Sequence, residues 1–398
     1  MTDNHSEALR CLLCKKPKCA LQGCPVHTPV PECMALYREG RLEEAGAMLF
    51  ENNPLSAITS LVCDWKQFCF GHCVLNVKQA PVRWYSVEQE ISGQYLRKVV
   101  LERRSSELEG RRIAIVGAGP AGIAAAVWLY EKGASIVLID ANERLGGVLR
   151  YGIPAFRLDR SLVDEYERIL NVPGIEFKFG EHVKSVKDLS AAYDTVIVCA
   201  GAEKPATLRI PGEESAIQAL DFLKDPEKFN IGRKAIVIGG GNVAMDACRT
   251  AHRQGAETWV YYRKTFENMP ANPLEVEEAR SEGVQFAVFE APVEVRQGGV
   301  VFRKCENVVP EDGGRVVTRI IDGTDHFVEC DSLITAISEK PEFGLLEGAV
   351  FGEDRWPIVA ENGLVSGFDN VYVAGDFRLG PKTVVEAVAS ARLVVDSL

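Results

Sequence analysis

Apolar residues are most concentrated between residues 113 and 130, a stretch about as long as a membrane-spanning helix. Gly117, Gly119, Pro120 and Gly122 interrupt this stretch. Glycine and proline at such intervals are typical of a turn between two regular elements. The pattern therefore predicts a buried strand, a tight turn and a helix, and no membrane span.

The same pattern occurs a second time in the chain. Residues 110–140 align without gaps to residues 232–262. In each copy a basic pair precedes an apolar run, a glycine turn opens a helix, a glycine ends the helix and a second apolar strand follows. Each copy therefore predicts a β-α-β unit that can bind a dinucleotide.

The glycines of the first copy have separate roles. Gly117 permits the tight turn, Gly119 lets the backbone approach a pyrophosphate, and Gly122 lets the helix pack on the strand. The helix N-terminus supplies N–H groups and a positive dipole. Asp140 ends the second strand, where a carboxylate accepts hydrogen bonds from ribose hydroxyls. We therefore expect a dinucleotide at this turn.

The second copy, with Gly239, Gly241 and Ala244, differs at the position of that acid. Tyr262 aligns with Asp140, and Arg263 and Lys264 follow it. Two cations beside the ribose suit a 2′-phosphate, which favours NADPH over NADH. The other interpretation is that both residues are solvated charges at a strand end.

Two dinucleotide units suggest one flavin and one nicotinamide, and residues 370–376 (NVYVAGD) add a strand that ends in Gly-Asp. Hydride passes between these cofactors without a general acid or base, so we assign no catalytic residue. His27 and His72 lie beside cysteines, and a polar surface role is favoured over cluster contact for both.

Eight of the twelve cysteines fall within the first 73 residues. Their spacing is C-x2-C-x4-C-x4-C-P, then a lone Cys33, then C-x5-C-x3-C. Thiolates at such short intervals can converge on iron, and a cysteine followed by proline is typical of a segment shared between two neighbouring clusters. The segment is predicted to be an electron-transfer module.

Two other interpretations of these cysteines are a disulfide framework and a pair of zinc sites. Residues 1–10 lack the apolar run of a secretory signal, so a reducing compartment and bound metal are favoured over disulfides. Zinc accepts four thiolates equally well, but its sites usually pair two C-x2-C motifs, and one is present here.

The length of 398 residues suffices for two to three domains. The net charge of -11 argues against nucleic acid, whose phosphates need a basic face. We expect a soluble, acidic, cytoplasmic protein. The other cysteines are isolated, and we expect them to be packing residues; they are Cys199, Cys248, Cys305 and Cys330.

Several stretches together resemble one family, the small flavin-containing subunit of glutamate synthase and, more closely, the NAD(P)H-oxidising half of dihydropyrimidine dehydrogenase, including its separate bacterial subunit. The likeness covers essentially the whole chain. The stretches are RCLLCKKPKC...GCPV, ENNPL, C-x5-C-x3-C, VGAGPAG, YGIPAFRL, IGGGNVAMD, RKTFENMPA and VAGD...KTVVEAV.

The resemblance implies an α/β fold in which a helical iron-sulfur domain precedes two Rossmann-like domains arranged as in glutathione reductase, the second inserted in the first. We expect the cluster domain over 1–107, the FAD domain over 108–212 and 329–398, and the NAD(P)H domain over 213–328.

The resemblance also implies two [4Fe-4S] clusters. Cys11, Cys14, Cys19 and Cys73 are expected to hold one of them. Cys24, Cys63 and Cys69 are expected to hold the other, with a side-chain oxygen as fourth ligand. Glu88 falls at that position, and Cys33 is a rival eighth ligand.

The nucleotide-binding residues carry over in the same way. For FAD they are Ala118, Gly119, Pro120, Ala121, Gly122, Asp140, Val148, Arg157, Val183, Gly375, Asp376, Thr383 and Val384. The last two would begin a helix whose N-terminus faces the flavin. For the nicotinamide cofactor they are Gly241, Asn242, Val243, Ala244, Arg263 and Lys264.

The chain departs from the family pattern in four places. Four residues rather than three separate Cys19 from Cys24, and Asp64 follows Cys63 where proline is common. Ser338 replaces a glycine of the family pattern. Pro270 stands where mammalian dihydropyrimidine dehydrogenase has a phosphate-binding arginine. The last departure weakens the case for NADPH.

We expect an enzyme that takes hydride from NAD(P)H onto FAD and passes single electrons through the clusters to a partner, as in dihydropyrimidine dehydrogenase. The alternatives are an electron-input subunit of glutamate synthase and a ferredoxin-linked oxidoreductase. From a different class, a non-enzymatic redox sensor would not need two intact nucleotide sites. A thioredoxin-reductase-like enzyme would need a cysteine pair near the flavin. Because the chain ends after the flavin helix, we expect a hetero-oligomer.

Overall fold

The computed structural model describes residues 4–308 and 317–398. The chain forms two compact units. The first comprises Met1–Arg150, Ala155–Ala202 and Pro341–Leu398, and the second comprises Tyr151–Pro154 and Glu203–Lys340. The second unit is thus an insertion in the sequence of the first.

The first unit begins with six helices that enclose a small apolar core. Met34, Leu49, Val87 and Ile91 lie fully buried in this core, one each from the third and fourth helices and two from the sixth. The helices are α1 (Asn4–Arg10), α2 (Lys18–Leu21), α3 (Val30–Arg38), α4 (Leu42–Asn52), α5 (Ser56–Val62) and α6 (Trp84–Leu96). The cysteine-bearing loops lie between these helices.

A parallel sheet with flanking helices follows in the same unit. Its strands β1, β2 and β4 are mostly apolar and almost wholly buried, as expected for strands covered on both faces, whereas the outer strand β3 is partly exposed. The elements are β1 (Arg112–Val116), α7 (Pro120–Glu131), β2 (Ser135–Asp140), α8 (Val148–Tyr151), α9 (Arg160–Leu170), β3 (Ile175–Phe179), α10 (Lys187–Ala192) and β4 (Thr195–Val198).

The second unit repeats this β-α-β arrangement and adds an antiparallel sheet. Its elements are β5 (Lys204–Pro205), β6 (Ile217–Gln218), α11 (Ala219–Lys224), β7 (Lys234–Ile238), α12 (Asn242–Arg253), β8 (Glu257–Tyr262), α13 (Pro273–Glu282), β9 (Gln285–Val288), β10 (Glu290–Arg296), β11 (Gly299–Val308), β12 (Val317–Ile320), β13 (His326–Glu329), β14 (Ser332–Thr335) and β15 (Glu339–Lys340). The parallel sheet has the order β6-β14-β7-β8-β9, and β11 pairs with β10, β12 and β13.

The chain then returns to the first unit through β16 (Val371–Val373), α14 (Asp376–Leu379) and α15 (Val384–Val395). β16 pairs in parallel with β4 and completes the order β16-β4-β1-β2-β3. The Gly-Asp that follows β16 therefore lies at the same edge of the sheet as the glycine turn after β1.

The N-terminal helices and the first sheet belong to one compact unit because several buried contacts join them. The indole Nε1 of Trp128 on α7 donates to the carbonyl of Glu51 over 3.0 Å. The fully buried Tyr166 on α9 donates its hydroxyl to the carbonyl of Pro54 over 2.8 Å. The predicted domain boundary near residue 107 stays a prediction.

The fold class predicted from the sequence is confirmed. The apolar stretch 113–130 forms β1, the glycine turn and α7, and every residue of α7 is buried in protein. Within the described ranges, no helix is long and apolar enough to cross a membrane.

Candidate functional site: two cysteine-lined cavities and two nucleotide turns

Seven cysteines and one glutamate line two adjacent cavities in the first unit. Cys11, Cys14, Cys19 and Cys73 line the first cavity, together with Cys69. Cys24, Cys63, Cys69 and Glu88 line the second cavity. The structure thus brings together each of the two predicted ligand sets, and Cys69 lies at both.

Local backbone conformation positions the thiols of the first cavity. Leu13 adopts a left-handed φ of 48°, so the chain reverses between Cys11 and Cys14. Pro17 then caps the short helix α2, which carries Cys19. Cys73 is reached by a turn in which its N–H donates to the carbonyl of Phe70 over 3.2 Å.

Burial makes both cavities unfavourable for uncompensated thiolates. It raises the pKa of the Cys19 thiol to about 12, and it places the pKa values of Cys63 and Cys69 well above the usual value. Burial also raises the pKa of Glu88 to about 8, although a hydrogen bond with Trp84 opposes this shift. A set of four anionic ligands is stable here only around a strongly positive group, which is what a cluster of iron ions provides.

The cysteines of each set lie in the lining of a cavity. Together with the part that opens to solvent, the first cavity encloses about 460 Å³ and the second about 400 Å³. In the part of the chain that the structure describes, no three His, Cys, Asp or Glu side chains are grouped as ligands of a metal ion. A [4Fe-4S] cluster binds four ligands through four separate iron ions, and each cavity offers a set of four such side chains.

Glu88 and Cys33, the two candidates for the eighth ligand, lie in different environments. Glu88 on α6 is 7% exposed and lines the second cavity. Cys33 is 0% exposed and packs in the helical core, where its thiol lies 3.9 Å from the carbonyl of Ala45. These positions favour Glu88, and the ligand assignment stays a proposal.

The first nucleotide turn has no room for a side chain at its tightest point. Gly117 has a φ of +105°, and a Cβ there would lie 2.3 Å from the carbonyl oxygen of Cys199. Gly119 is the N-cap of α7, and a Cβ at Gly147 would lie 2.8 Å from the Cα of Gly119. Two backbone segments therefore meet at the predicted pyrophosphate position, which fits a bound dinucleotide. The Gly146-Gly147 pair was missed in the sequence, although adjacent glycines are its signal.

Asp140 lies at the predicted strand end but also supports the turn itself. Its carboxylate accepts hydrogen bonds from the backbone N–H of Ala118 and of Asn142, both over 2.7 Å. The residue is 8% exposed. The acid therefore has a structural role that the sequence motif does not reveal.

Most other predicted flavin residues lie at the same sheet edge. Gly375 has a φ of +63°, and a Cβ there would lie 2.9 Å from that of Ala121. The carboxylate of Asp376 accepts from the N–H of Lys382, and Thr383 caps α15 through a capping box with Glu386. Pro120 and Gly122 lie buried in α7, and Val384 begins α15.

Three further predicted flavin residues lie outside the glycine turn. Val148 begins α8, directly after the two glycines, and is 41% exposed. Val183 packs against the apolar cluster around β4. Arg157 is half-buried in the loop between α8 and α9.

The second nucleotide turn repeats this geometry. A Cβ at Gly239 would lie 2.1 Å from the carbonyl oxygen of Ala336, whereas the space around Gly241, the N-cap of α12, is open. Asn242 accepts from the N–H of Asn272 over 2.8 Å, and Val243 and Ala244 pack in the core. An open helix N-terminus fits a pyrophosphate.

Two cations lie where the second β-strand of this repeat ends. Arg263 is exposed and Lys264 half-buried, and among the described residues neither has a salt-bridge partner within 4.0 Å. The ring of Tyr262 packs against Gly240, and its hydroxyl donates to the carbonyl of Asn268 over 2.8 Å. Two unpaired cations at this position are available to a ligand phosphate.

Comparison with known proteins agrees with these sites. Residues 111–391 match the model of the pyridine nucleotide-disulphide oxidoreductase family, and residues 1–99 match dihydropyrimidine dehydrogenase domain II, 4Fe-4S cluster. The glutamate synthase [NADPH] small chain of Escherichia coli is 31% identical over 99% of this chain and 90% of that protein. That of Azospirillum brasilense is 31% identical over 98% and 87%.

Other relatives extend this picture. The NADP(+)-dependent formate dehydrogenase subunit beta of Moorella thermoacetica is 27% identical over 95% of this chain and 59% of that protein. FprA from Mycobacterium tuberculosis shares the fold, with a TM-score of 0.63 and 20% identity over 72% of this chain and 84% of that chain. 2-Naphthoyl-CoA reductase shares it over 92% of this chain and 52% of that chain, with a TM-score of 0.60 and 15% identity.

The fold and the two kinds of site define an FAD-containing NAD(P)H oxidoreductase with iron-sulfur clusters. The chain belongs to the pyridine nucleotide-disulphide oxidoreductase family, among the electron-input subunits that include the glutamate synthase small chains. The resemblance predicted from the sequence is confirmed at this level.

Proposed function

We propose that this chain oxidises NADPH and delivers single electrons to a partner subunit. When bound, FAD accepts hydride as a pair of electrons and releases them singly, and the iron-sulfur clusters conduct them. Within the first unit, the residues of the chain would hold the flavin and the two clusters in a fixed order.

The order of the groups is supported by one observation. Val385, in the first turn of α15, lines the second cavity together with Cys24, Cys63 and Glu88. It directly follows Thr383 and Val384, the two residues proposed to face the flavin. The second cavity therefore lies beside the flavin helix, whereas the lining of the first cavity contains no residue of that helix.

The two cavities share a wall that suits electron transfer. Cys69 and Trp84 line both cavities. Trp65 stacks on Tyr85 beside the second cavity, with ring centroids 3.9 Å apart, and this pair shields the cavity from water. Electrons would pass from the second cavity to the first through this common wall.

NADPH rather than NADH is proposed because the second nucleotide turn offers positive charge. Arg263 and Lys264 are unpaired with carboxylates in the described part of the chain, and Tyr262 replaces the acid that would repel a phosphate. The two glutamate synthase relatives named above use NADPH according to their names.

For the final acceptor, a glutamate-synthase-type partner is the first candidate. The small chains of that enzyme match 98–99% of this chain. A partner of the dihydropyrimidine dehydrogenase type is the second candidate, because residues 1–99 match the cluster domain named for that enzyme.

The test compares two matched double variants of the purified, anaerobic protein. Cys24→Ser/Cys63→Ser removes the second cluster, and Cys11→Ser/Cys14→Ser removes the first. We expect the wild type to contain FAD and about eight iron atoms. We expect NADPH to reduce the remaining cluster only in the Cys11→Ser/Cys14→Ser variant, as followed by cluster spectroscopy. Reduction of a quinone dye at the flavin should persist in both variants.

Two results would overturn the proposal. Protein that contains no flavin and does not oxidise NADPH would exclude the function itself. Reduction of the first cluster in the Cys24→Ser/Cys63→Ser variant at the wild-type rate would exclude the proposed order.

A further inference from the structure

The two loop segments that carry the cysteines of the first cavity are basic in an otherwise acidic protein. Residues 8–31 and 65–87 contain seven of the chain's 45 lysines and arginines and none of its 56 carboxylates. The whole chain has a net charge of -11. Because they lack carboxylates, the two segments carry a formal charge of +7 beside the proposed electron exit.

A neighbouring carboxylate pairs with the two arginines of these segments but not with the lysines. Glu7 pairs with Arg10 over 2.9 Å and with Arg83 over 3.5 Å. The lysines are all exposed, and within the described residues none of them has a salt-bridge partner. They are Lys15, Lys16, Lys18, Lys66 and Lys78. Their charge is available to an external partner.

Exposed apolar side chains lie in the same segments. Leu12 is 62% exposed, Leu21 is 55% exposed and Val77 is 82% exposed. Large apolar side chains that lie in water beside uncompensated cations are typical of a surface that another protein covers.

The cavity lining and one hydrogen bond place the two segments side by side. Leu12 and Lys18 line the first cavity together with Cys73 and Val74. The guanidinium of Arg10 donates to the carbonyl of Ala80, which ties the start of one segment to the end of the other. Leu12 and Lys18 lie at the first cavity, and the other exposed residues of the two joined segments are close to them in sequence. The set of Leu12, Lys15, Lys16, Lys18, Val77 and Lys78 is called here the lysine face.

We propose that the lysine face docks a protein electron acceptor whose own redox centre is surrounded by acidic residues. This inference rests on the proposed function, since it takes the first cavity to be the site from which electrons leave. Opposite charges steer the two redox centres towards each other and raise the association rate. The apolar side chains bring the docked surfaces into close contact.

The observations disfavour the other occupants of such a face. A second copy that presents the same face brings lysines against lysines, and like charges across an interface are repulsive. A phosphate-bearing polymer would be attracted by the lysines but repelled by the acidic remainder of the chain.

The test uses two haem proteins of opposite charge as probes, the acidic soluble domain of cytochrome b5 and the basic cytochrome c. The full protein is supplied with NADPH, and the reduction of each probe is followed at several salt concentrations. We expect the kcat/KM for cytochrome b5 to fall about tenfold from low to high salt. Lys15→Glu/Lys16→Glu should lower this kcat/KM about tenfold at low salt and raise that for cytochrome c.

Lys184→Glu/Lys304→Glu is the matched control, because both lysines are exposed, lie outside the lysine face and change the net charge by the same amount. We expect less than a twofold change for either probe. Reduction of menadione, an uncharged small acceptor, measures whether the flavin and nicotinamide sites still work. Reduction of the clusters by NADPH without an added acceptor measures electron transfer from the flavin to the clusters. If the double variant loses iron, Lys78→Glu serves as a second test variant. We expect it to change both kcat/KM values in the same direction as the double variant.

Several outcomes would overturn the docking proposal while leaving the proposed function intact. These are equal effects of the test and control variants, a cytochrome b5 rate that does not depend on salt, and faster reduction of cytochrome b5 by the Lys15→Glu/Lys16→Glu variant. A salt-sensitive dimer that the same variant abolishes would assign the face to a second copy. If the wild type reduces neither menadione nor its own clusters with NADPH, the proposed function itself is contradicted.

Discussion

The two β-α-β units, β1-α7-β2 and β7-α12-β8, have the same order of strand, glycine turn, helix and strand but differ where the second strand ends. In the first unit Asp140 is buried and accepts hydrogen bonds from the turn that it follows. In the second unit Tyr262 packs on the turn instead, and Arg263 and Lys264 remain free of carboxylate partners in the described ranges. In dinucleotide-binding units of this kind the glycine turn positions the pyrophosphate and the strand end contacts the ribose, so we expect the two units to differ in the ribose that they accept.

The central helices of the two units also differ. Every residue of α7 is buried, because α15 covers one side and Trp128 reaches the carbonyl of Glu51 in α4 on another. α12 instead pairs through charges with α13, since the buried Arg249 donates to Glu278 and Glu282 over 2.7 Å each. The first helix is held by apolar packing and the second partly by ions.

The largest expected effect comes from closing the glycine turn of the first unit. Gly117→Ala places a Cβ against the carbonyl of Cys199 at a left-handed φ, where both atoms belong to backbone that has little room to move. We expect a loss of bound FAD and a decrease of about 3 kcal/mol or more in the free energy of unfolding. Flavin absorbance and denaturant unfolding measure both quantities.

Gly119→Ala is the control for this prediction. The space around Gly119 admits a Cβ, whose nearest neighbour is the Cα of Gly147 at 3.8 Å. This variant should fold normally while binding FAD less tightly. Equal unfolding energies for the two variants would contradict the steric explanation.

The second largest effect concerns nicotinamide choice. Arg263→Ala/Lys264→Ala removes both cations at the end of β8, so we expect the KM for NADPH to rise about 10- to 100-fold while that for NADH changes less than threefold. Steady-state reduction of a quinone dye measures both constants.

Two control variants test whether the effect on nicotinamide choice is specific to Arg263 and Lys264. Asp140→Asn, at the equivalent strand end of the first unit, should lower the flavin content without changing the preference for NADPH. Lys304→Ala, an exposed lysine of the second unit, should change neither constant. Equal increases in both KM values would show that the cations act on the common part of the cofactor.

A smaller effect is expected from the ion network between α12 and α13. The guanidiniums of Arg249 and Arg253 lower the pKa of Glu282 to about 2. Because the pKa of Glu282 is lower in the folded protein than in the unfolded chain, its ion pairs with the two arginines stabilise the protein above about pH 4. Their effect is lost as the pH falls towards about 2. Glu282→Gln should therefore lose about 1 kcal/mol of unfolding free energy at pH 7 and show a flatter acid dependence.

The control for the pH experiment is Glu277→Gln. Glu277 is exposed on the same helix and has no salt-bridge partner among the residues that the structure describes. Urea unfolding between pH 3 and pH 7 should give the wild-type slope for this variant. A wild-type slope for Glu282→Gln would refute the role of the pair.

The smallest effect is a gain in stability at Ser338. This residue stands where the family has glycine, and its φ of 101° is unfavourable for a side chain. Ser338→Gly should raise the free energy of unfolding by about 1 kcal/mol. Ser281→Gly, within α13, should lower it by about 0.5–1 kcal/mol. Thermal unfolding of the two variants should therefore shift in opposite directions.

Much of the fold was predictable because local patterns specify it. The apolar runs and glycine turns of the two repeats are contiguous in sequence, so β1, α7, β7 and α12 could be predicted from the sequence. The family and the cofactors were predictable for the same reason, since the cysteine spacing and the glycine motifs are local signals.

Long-range contacts were not predictable in this way. The burial of Cys33 among helices α3 and α4 depends on tertiary packing, and so does the position of Glu88 at the second cavity. The adjacency of Val385 to that cavity joins residues that lie about 300 positions apart in the sequence. The sequence alone also does not show that both arginines of the basic segments pair with one carboxylate while the lysines do not. That carboxylate, Glu7, lies outside the segments.

The buried hydrogen bonds of Trp128 and Tyr166 to the backbone near residues 51–54 have a consequence for the lifetime of the protein. They tie the helices around the cysteines to the flavin-binding sheet, so the two parts unfold cooperatively rather than as separate pieces. Oxidative loss of iron would remove ligand-derived stability from that entire cooperative unit. A chain that has lost a cluster in air would then still hold its flavin, but proteases would cleave it sooner than the intact protein.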